Sequence, residues 1–259
     1  VGGAKTFNWA GWSSLILLLL AWELGARSTA ALQVYLPPIS AVIGASGQLF
    51  IAGQLGDHAL VTLERFFAGY LIASGIGVSV GIGLGYFRSL HNLVGIVIEF
   101  LRPMPSVAII PVAILMLGIG DSMIVAVTVY ATVWPILINT IDGVRHIDST
   151  LVDTGRTFGL SRWRILWQII LPGASPYIVT GLRIALAIAL ILVTTAEMVA
   201  GSKGLGFFIL DEERSMNSSN MYAGVVIVAA LGYALNRLFL ALESRVMRWR
   251  HGMVARETA

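Results

Sequence analysis

Long apolar runs alternate with short polar stretches along this chain, and the runs are the length of a membrane crossing. A helix needs roughly 20 mostly apolar residues to cross a hydrocarbon core about 30 Å thick. That rule predicts spans at Phe7–Ala26, Thr62–Tyr86, Leu93–Leu117, Ser122–Ile141, Pro172–Val199 and Met221–Val246. Between the first two, LPPISAVIGASGQLF opens on Pro37 and Pro38, which suit a break before a new helix. The stretch from there to Ile51 is too short to span and is expected to lie along the outer interface. The largest polar island between spans is Asp153–Pro172, DTGRTFGLSRWRILWQIILP.

Composition agrees with the pattern. The chain is 57% hydrophobic and only 12% charged, with a mean hydropathy of +0.83. An ordinary soluble domain is about 25% charged, so a bilayer has to replace water over much of this surface. Trp9, Trp12 and Trp22 flank the first run as interface anchors. A cleavable signal peptide, with Lys5, a Leu-rich run and small residues near Ala30, is the rival reading of that segment. There is no cysteine, which excludes disulfides and thiolate metal sites.

Charge sets the orientation. With the N-terminus in the cytoplasm, the inside segments hold Lys5, Arg88, Arg145, Arg156, Arg162, Arg164, Arg245, Arg248, Arg250 and Arg256, and the outside segments only Arg27, Lys203 and Arg214. Ten against three is a positive-inside bias that puts both termini and the Asp153 island in the cytoplasm. The net charge of +3 therefore reflects topology, and no basic soluble face for nucleic acid is visible.

Within the spans, Gly77, Gly81 and Gly85 recur every four residues and predict close packing against another helix. Pro103, Pro105 and Pro111 must break or kink the third span. Irregular backbone at membrane depth is tolerated only where it is buried in protein or lines a wet cavity. Arg102 and Arg183 fall roughly 14 and 17 Å into their spans, near the bilayer centre. Each either guides an anion or is neutralised by a carboxylate; Glu99, three residues before Arg102, is the expected partner there. In the island, Asp148 or Ser149 is expected to cap a short helix, with Asp153 near its start, and Gly159 to end it in a left-handed turn. Phe158 and Leu160 are its expected apolar anchors, with Arg156, Arg162 and Arg164 around them.

Chemical machinery is missing from the sequence. GSKGLG at Gly201–Gly206 lacks the order of a phosphate-binding loop and shows no following helix signal. His58, His91, His146 and His251 are too scattered for a zinc helix, and no nucleophile motif is present. No cofactor or metal is expected on this chain.

The island carries a family resemblance. Gly159, Ile169, Leu171 and Pro172 are in register with the cytoplasmic loop signature of ATP-binding-cassette importer permeases, while Asp153, Thr154 and Gly155 replace its opening Glu-Ala-Ala. LPPISAV, the element Leu101–Pro105, GIGDS, INTIDGVR, TGLRIAL and AEMVAGSKGLGFFI resemble the nitrate, sulfonate and taurine permeases of that class, over about Leu36 to Trp249. The resemblance implies an all-α, polytopic permease with six transmembrane helices and a cytoplasmic coupling helix between the fourth and fifth, in the loop 148–171 of one membrane domain, residues 1–259. It implies a bacterial inner-membrane location, a second permease copy, two cytoplasmic ATPase subunits that hold ATP and Mg, and an extracytoplasmic binding protein. By the same resemblance Asp153, Thr154, Gly155, Arg156, Phe158, Gly159, Leu160, Leu171 and Pro172 meet the ATPase. Arg102, Pro103, Met104, Pro105, Arg183 and Glu197 are the candidate path residues. The implied cargo is a small anion of the sulfonate, taurine, nitrate or bicarbonate class. A self-sufficient ion-coupled carrier or channel is the alternative, and inverted repeats would favour it.

Overall fold

The computed structural model describes residues 9–246. Lys5, Phe7, Arg248, Trp249, Arg250 and Arg256, used above for topology and resemblance, lie outside the described residues. The elements are α1 (Trp9–Arg27), α2 (Ala30–Tyr35), α3 (Ile39–Ile51), α4 (Gln54–Tyr86), α5 (Arg88–Leu101), α6 (Ile110–Leu117), α7 (Asp121–Arg145), α8 (Ser149–Thr157), α9 (Arg162–Ile165), α10 (Leu171–Ala200), α11 (Leu205–Arg214) and α12 (Ser218–Val246), with no strand among the described residues.

Long apolar helices cover the second, fourth, fifth and sixth expected spans, α1 begins inside the first, and the second and third depart from expectation. In the third, α5 and the segment Ser106–Leu117 meet at 89°. The kink is a full break, because Pro103 and Pro105 remove two donors within three residues and a 3₁₀ turn, Ser106–Ile109, replaces helix. The second span begins earlier than expected, at Gln54, after Gly53 turns the chain with φ 79°. Gln33–Ile51 is long and apolar enough in total to cross a membrane. Its break at Leu36–Pro38 leaves α3 with 13 residues, about 20 Å, short of the hydrocarbon core. Leu17, Leu18 and Leu24 of α1 stay exposed as lipid-facing residues. Its end is tied to the start of α3 by Trp22 Nε1 donating to the Pro37 carbonyl at 3.1 Å and by Ser40 donating to Glu23.

Helices α4, α7 and α10 form the centre. The glycine face of α4 meets α7 in parallel: a Cβ at Gly69, Gly77, Gly81 or Gly85 would come within 2.6 to 2.8 Å of Thr128, Ile136, Thr140 or Val144 in turn. Only hydrogen fits there, so the two backbones approach as the sequence spacing predicts. Buried Thr128, Thr132 and Thr140 satisfy their hydroxyls on carbonyls of their own helix. On the other side of α7, Gly143 takes Tyr177 and Gly181 takes Asn139 and Pro135, so α10 runs antiparallel to α7 at similar closeness. Phe66, Met123, Ile124, Val127, Leu186 and Val193 fill the half of this core nearer the N-terminus of α7.

Candidate functional site

The polar island folds as two short helices and a turn at the foot of α10. Asp148 caps α8 by accepting from the Thr150 N–H at 2.8 Å. The hydroxyl of Thr150, foremost, and its N–H hold the Asp148 carboxyl below the usual carboxylate range. At the other end Gly159 sits at φ 76°. The Leu160 N–H reaches back to Gly155 O at 3.0 Å, and the Gly159 N–H to Arg156 O at 2.9 Å. That pair of bonds is a Schellman cap, and its left-handed residue is the expected glycine.

One face of α8 is spent on the protein itself. Gly155 is buried, and a Cβ there would meet Ile169 Cδ1 at 2.8 Å. Leu160, expected as an outward anchor, instead packs with Val144, Ile165, Ile170 and Ala174. Its place on the outer face is taken by Leu151, while Phe158 is 82% exposed. Asp153, Thr154 and Arg156 are exposed as well, with Arg156 paired to Asp153 at 3.0 Å on the surface. Helix α8 packs chiefly on α9 and on Leu166–Ile170, a π-helical turn that runs straight into α10 through Leu171 and Pro172. Beneath part of it lies a cavity of about 340 Å³ lined by Tyr86, Val144, Ile147, Val152 and Ile170 among others.

The expected path residues separate into two groups. Arg102, Pro103, Met104, Pro105 and Arg183 are all exposed. Glu99 and Arg102 form no ion pair, contrary to expectation: α5 ends at Leu101, and both side chains point outward. Tyr130 instead holds this end of α5, its hydroxyl donating to Leu101 O at 2.7 Å.

Glu197 behaves differently. Its side chain is fully buried and accepts from Arg65 Nη1 at 2.9 Å, from the Thr62 hydroxyl at 2.9 Å and from the Gly206 N–H at 3.0 Å. Arg65 also donates to Asp121 Oδ1 through Nη2 at 2.6 Å and to Lys203 O at 2.7 Å. The Leu205 N–H donates to Thr62 Oγ1 and the Gly204 N–H to His58 Nδ1. The turn Gly201–Gly206 is thus wrapped around the Glu197 carboxylate, and a Cβ at Gly204 or Gly206 would collide with Glu197 or the Thr194 carbonyl. Every polar group of this buried pair has a partner, the condition under which a buried ion pair holds a fold in one arrangement. A helix, α11, does follow the turn, contrary to the reading of GSKGLG; the order of a phosphate-binding loop is still absent.

The family model for the "binding-protein-dependent transport system inner membrane component" matches residues 73–248, more than half of the chain. The chain belongs to that family. The permease is 29% identical over 246 residues to the taurine transport system permease protein TauC of Escherichia coli, covering 93% of this chain and 89% of the relative. It is 35% identical over 192 residues to the bicarbonate transport system permease protein CmpB of Synechococcus elongatus, covering 74% and 69%. Its fold matches a chain of the inward-facing MetNI methionine ABC transporter with TM-score 0.64 at 21% identity, over 76% of this chain and 96% of that one. It is a multi-pass inner-membrane subunit of an ATP-driven importer.

Three residues that order the Glu197 end of the permease, Thr62, Arg65 and Asp121, escaped the sequence reading. A signal was present. Arg65, Asp121 and Glu197 lie near the same membrane face once the spans alternate in direction, and they carry opposite charges. Spans of alternating direction bring such residues level, and unpaired charge at that depth is costly.

Proposed function

We propose that α8 is the element through which the permease receives the stroke of a cytoplasmic ATPase. The observation that carries this reading is a helix capped at both ends, standing on the root of α10, with Phe158 and Leu151 exposed among Arg156, Arg162 and Arg164. An apolar anchor inside a charged rim is the chemistry of a short helix laid in a partner's groove. Asp153 and Thr154 are exposed on α8 beside these anchors and meet the ATPase with them, while the Gly159 cap and the Leu171–Pro172 junction hold the helix in place. A push on α8 passes through the Gly155–Ile169 contact into α10, because these elements share their packing.

Two ATPase subunits bind ATP and Mg; this chain does no bond chemistry of its own. A second copy of the permease completes the pathway, and an extracytoplasmic binding protein delivers the cargo. The charge bias supports N- and C-termini in the cytoplasm. The exposed, non-helical run Arg102–Pro105 supports a wet pathway along its flank, since such backbone is not tolerated against lipid. The cargo class is a small anion, supported by the taurine and bicarbonate systems among the relatives.

The absence of cysteine makes the test direct. Phe158→Cys is expected to be labelled in the isolated permease, protected in the assembled complex, and cross-linked to the ATPase. Phe158→Ala is expected to insert normally and to lose co-purification with the ATPase. A thiol at position 158 that stays fully reactive in the active complex refutes the assignment.

A further inference from the structure

An arginine facing hydrocarbon is so costly that intramembrane cations turn towards water, a carboxylate or a protein interior. Arg183 lies about 18 Å along α10 from Leu171, with about 25 Å still to go to Ala200. Its side chain is too short to reach either headgroup layer from there. It is exposed, and among the described residues no carboxylate lies within ion-pair distance of it.

The exposed surface of α10 has two edges. At 100° per residue, Thr180, Arg183 and Ala187, with half-buried Thr194, follow one another along one edge, whereas Ile184, Ile191 and Val199, interleaved with Tyr177 and half-buried Thr195, occupy the other. The second edge carries no charge, and Thr195 spends its hydroxyl proton on Ile191 O, so it suits lipid or a dry helix contact. The polar edge covers about 21 Å of membrane depth. Thr180 and Thr194 spend their hydroxyl protons on Pro176 O and Leu190 O, which leaves lone pairs for water. The five N–H donors of Arg183 are therefore the anion-recognising groups on this edge. The 3₁₀ turn that follows the broken Arg102–Pro105 run packs on α10, the helix that carries this edge.

We propose that Arg183 is the mid-membrane binding rung of the pathway, taking a small oxyanion in its guanidinium fork as the ion moves along the Thr180–Thr194 edge. The site rests on the importer reading above. A planar fork of parallel donors fits two oxygens of a sulfonate, nitrate or bicarbonate group, and suits an uncharged or cationic cargo poorly. In a symmetric pair of permeases, two such rungs face one pathway.

The test uses the assembled importer in liposomes and small charged thiol reagents, which need no knowledge of the cargo. Ala187→Cys, one turn from Arg183, is expected to react about tenfold faster with the sulfonate-bearing methanethiosulfonate than with its trimethylammonium counterpart. Arg183→Gln added to it is expected to abolish that preference, and Arg183→Lys to keep part of it. Ile184→Cys and Ile191→Cys are expected to stay unlabelled. Competition by methanesulfonate, with no dependence on the content of anionic lipid, assigns the site to a free anion; dependence on anionic lipid alone overturns it in favour of a headgroup. An unreactive Ala187→Cys, or a preference that survives Arg183→Gln in a complex of unchanged melting temperature, also overturns it. ATP-driven uptake measured in parallel separates the two levels: wild-type liposomes without ATP-dependent uptake of any anion count against the importer reading, whereas intact labelling preferences still support the rung.

Discussion

Replacing Gly81 by alanine adds one methyl group and tests whether the α4–α7 contact is as close as it looks. The new Cβ falls 2.6 Å from Thr140 Cβ, 2.8 Å from its Cγ2 and 3.1 Å from Leu137 O. Thr140 is fully buried and its hydroxyl is tied to Ile136 O at 2.7 Å, so it has no free rotamer to escape into. Relief requires the helices to part by about 1 Å, and carbon contacts at both neighbouring glycines weaken with them. Overpacking of this kind costs about 1–3 kcal/mol. Alanine also gains about 1 kcal/mol over glycine as a helix former, which would mask the effect in a single variant. Gly83 removes the ambiguity: it is two residues away on the same helix, and a Cβ there meets nothing within 4 Å. The difference between Gly83→Ala and Gly81→Ala cancels the propensity gain and is expected to be about 1–3 kcal/mol in favour of Gly83→Ala. Reversible unfolding of the purified permease in mixed micelles with increasing denaturing detergent measures it. Equal stability of the two variants refutes the packing argument.

Further outcomes follow from the same geometry. Glu197→Gln leaves Arg65 its bonds to Asp121 and Lys203 O but replaces a buried carboxylate by an amide, and it is expected, like Thr62→Val, to lower stability by about 1–3 kcal/mol; thermal unfolding in detergent checks both. Gly159→Val forces a β-branched residue to φ 76°, so α8 is expected to lose its cap and co-purification with the ATPase to fall, while membrane insertion is unchanged. Asp148 has a lowered carboxyl pKa in the folded protein, so its capping contribution is complete above the ordinary aspartate value of about 3.9 and is lost as pH falls through the lower folded value. Hydrogen exchange at the Thr150 amide is expected to speed up over that acid range, and Asp148→Asn to show no such titration. The purified permease is expected to show no ATP binding or hydrolysis once contaminating ATPases are removed, because it has no phosphate-cradling loop.

The spans were legible because a bilayer imposes a length on every crossing helix, and the glycine face because a four-residue repeat keeps one side of α4 bare. The island was legible at its ends, where Asp148 and Gly159 have few conformational alternatives. Its faces were not: whether Leu151 or Leu160 points outward depends on where the turn after Gly159 sends the chain. The 89° bend was visible only as a break, since prolines remove donors without fixing a direction. The Arg65–Glu197 pair joins residues far apart in sequence, and local spacing says nothing about such partners. Helix α11 was missed because Gly204, without a capping side chain, starts it and its apolar FFIL run has no helical period.

The close approach of α4, α7 and α10 has a kinematic consequence. Contacts made by glycine against backbone leave no slack for one helix to slide along another, so the three act as one rigid lever. The lever is as long as α10, 30 residues, or about 45 Å. A tilt of about 10° imposed at the foot of α10 swings the opposite end by on the order of 8 Å, several water diameters, without breaking a contact among the three. Any joint for such a motion then lies outside these three helices, and the length of α10 sets how far its end travels.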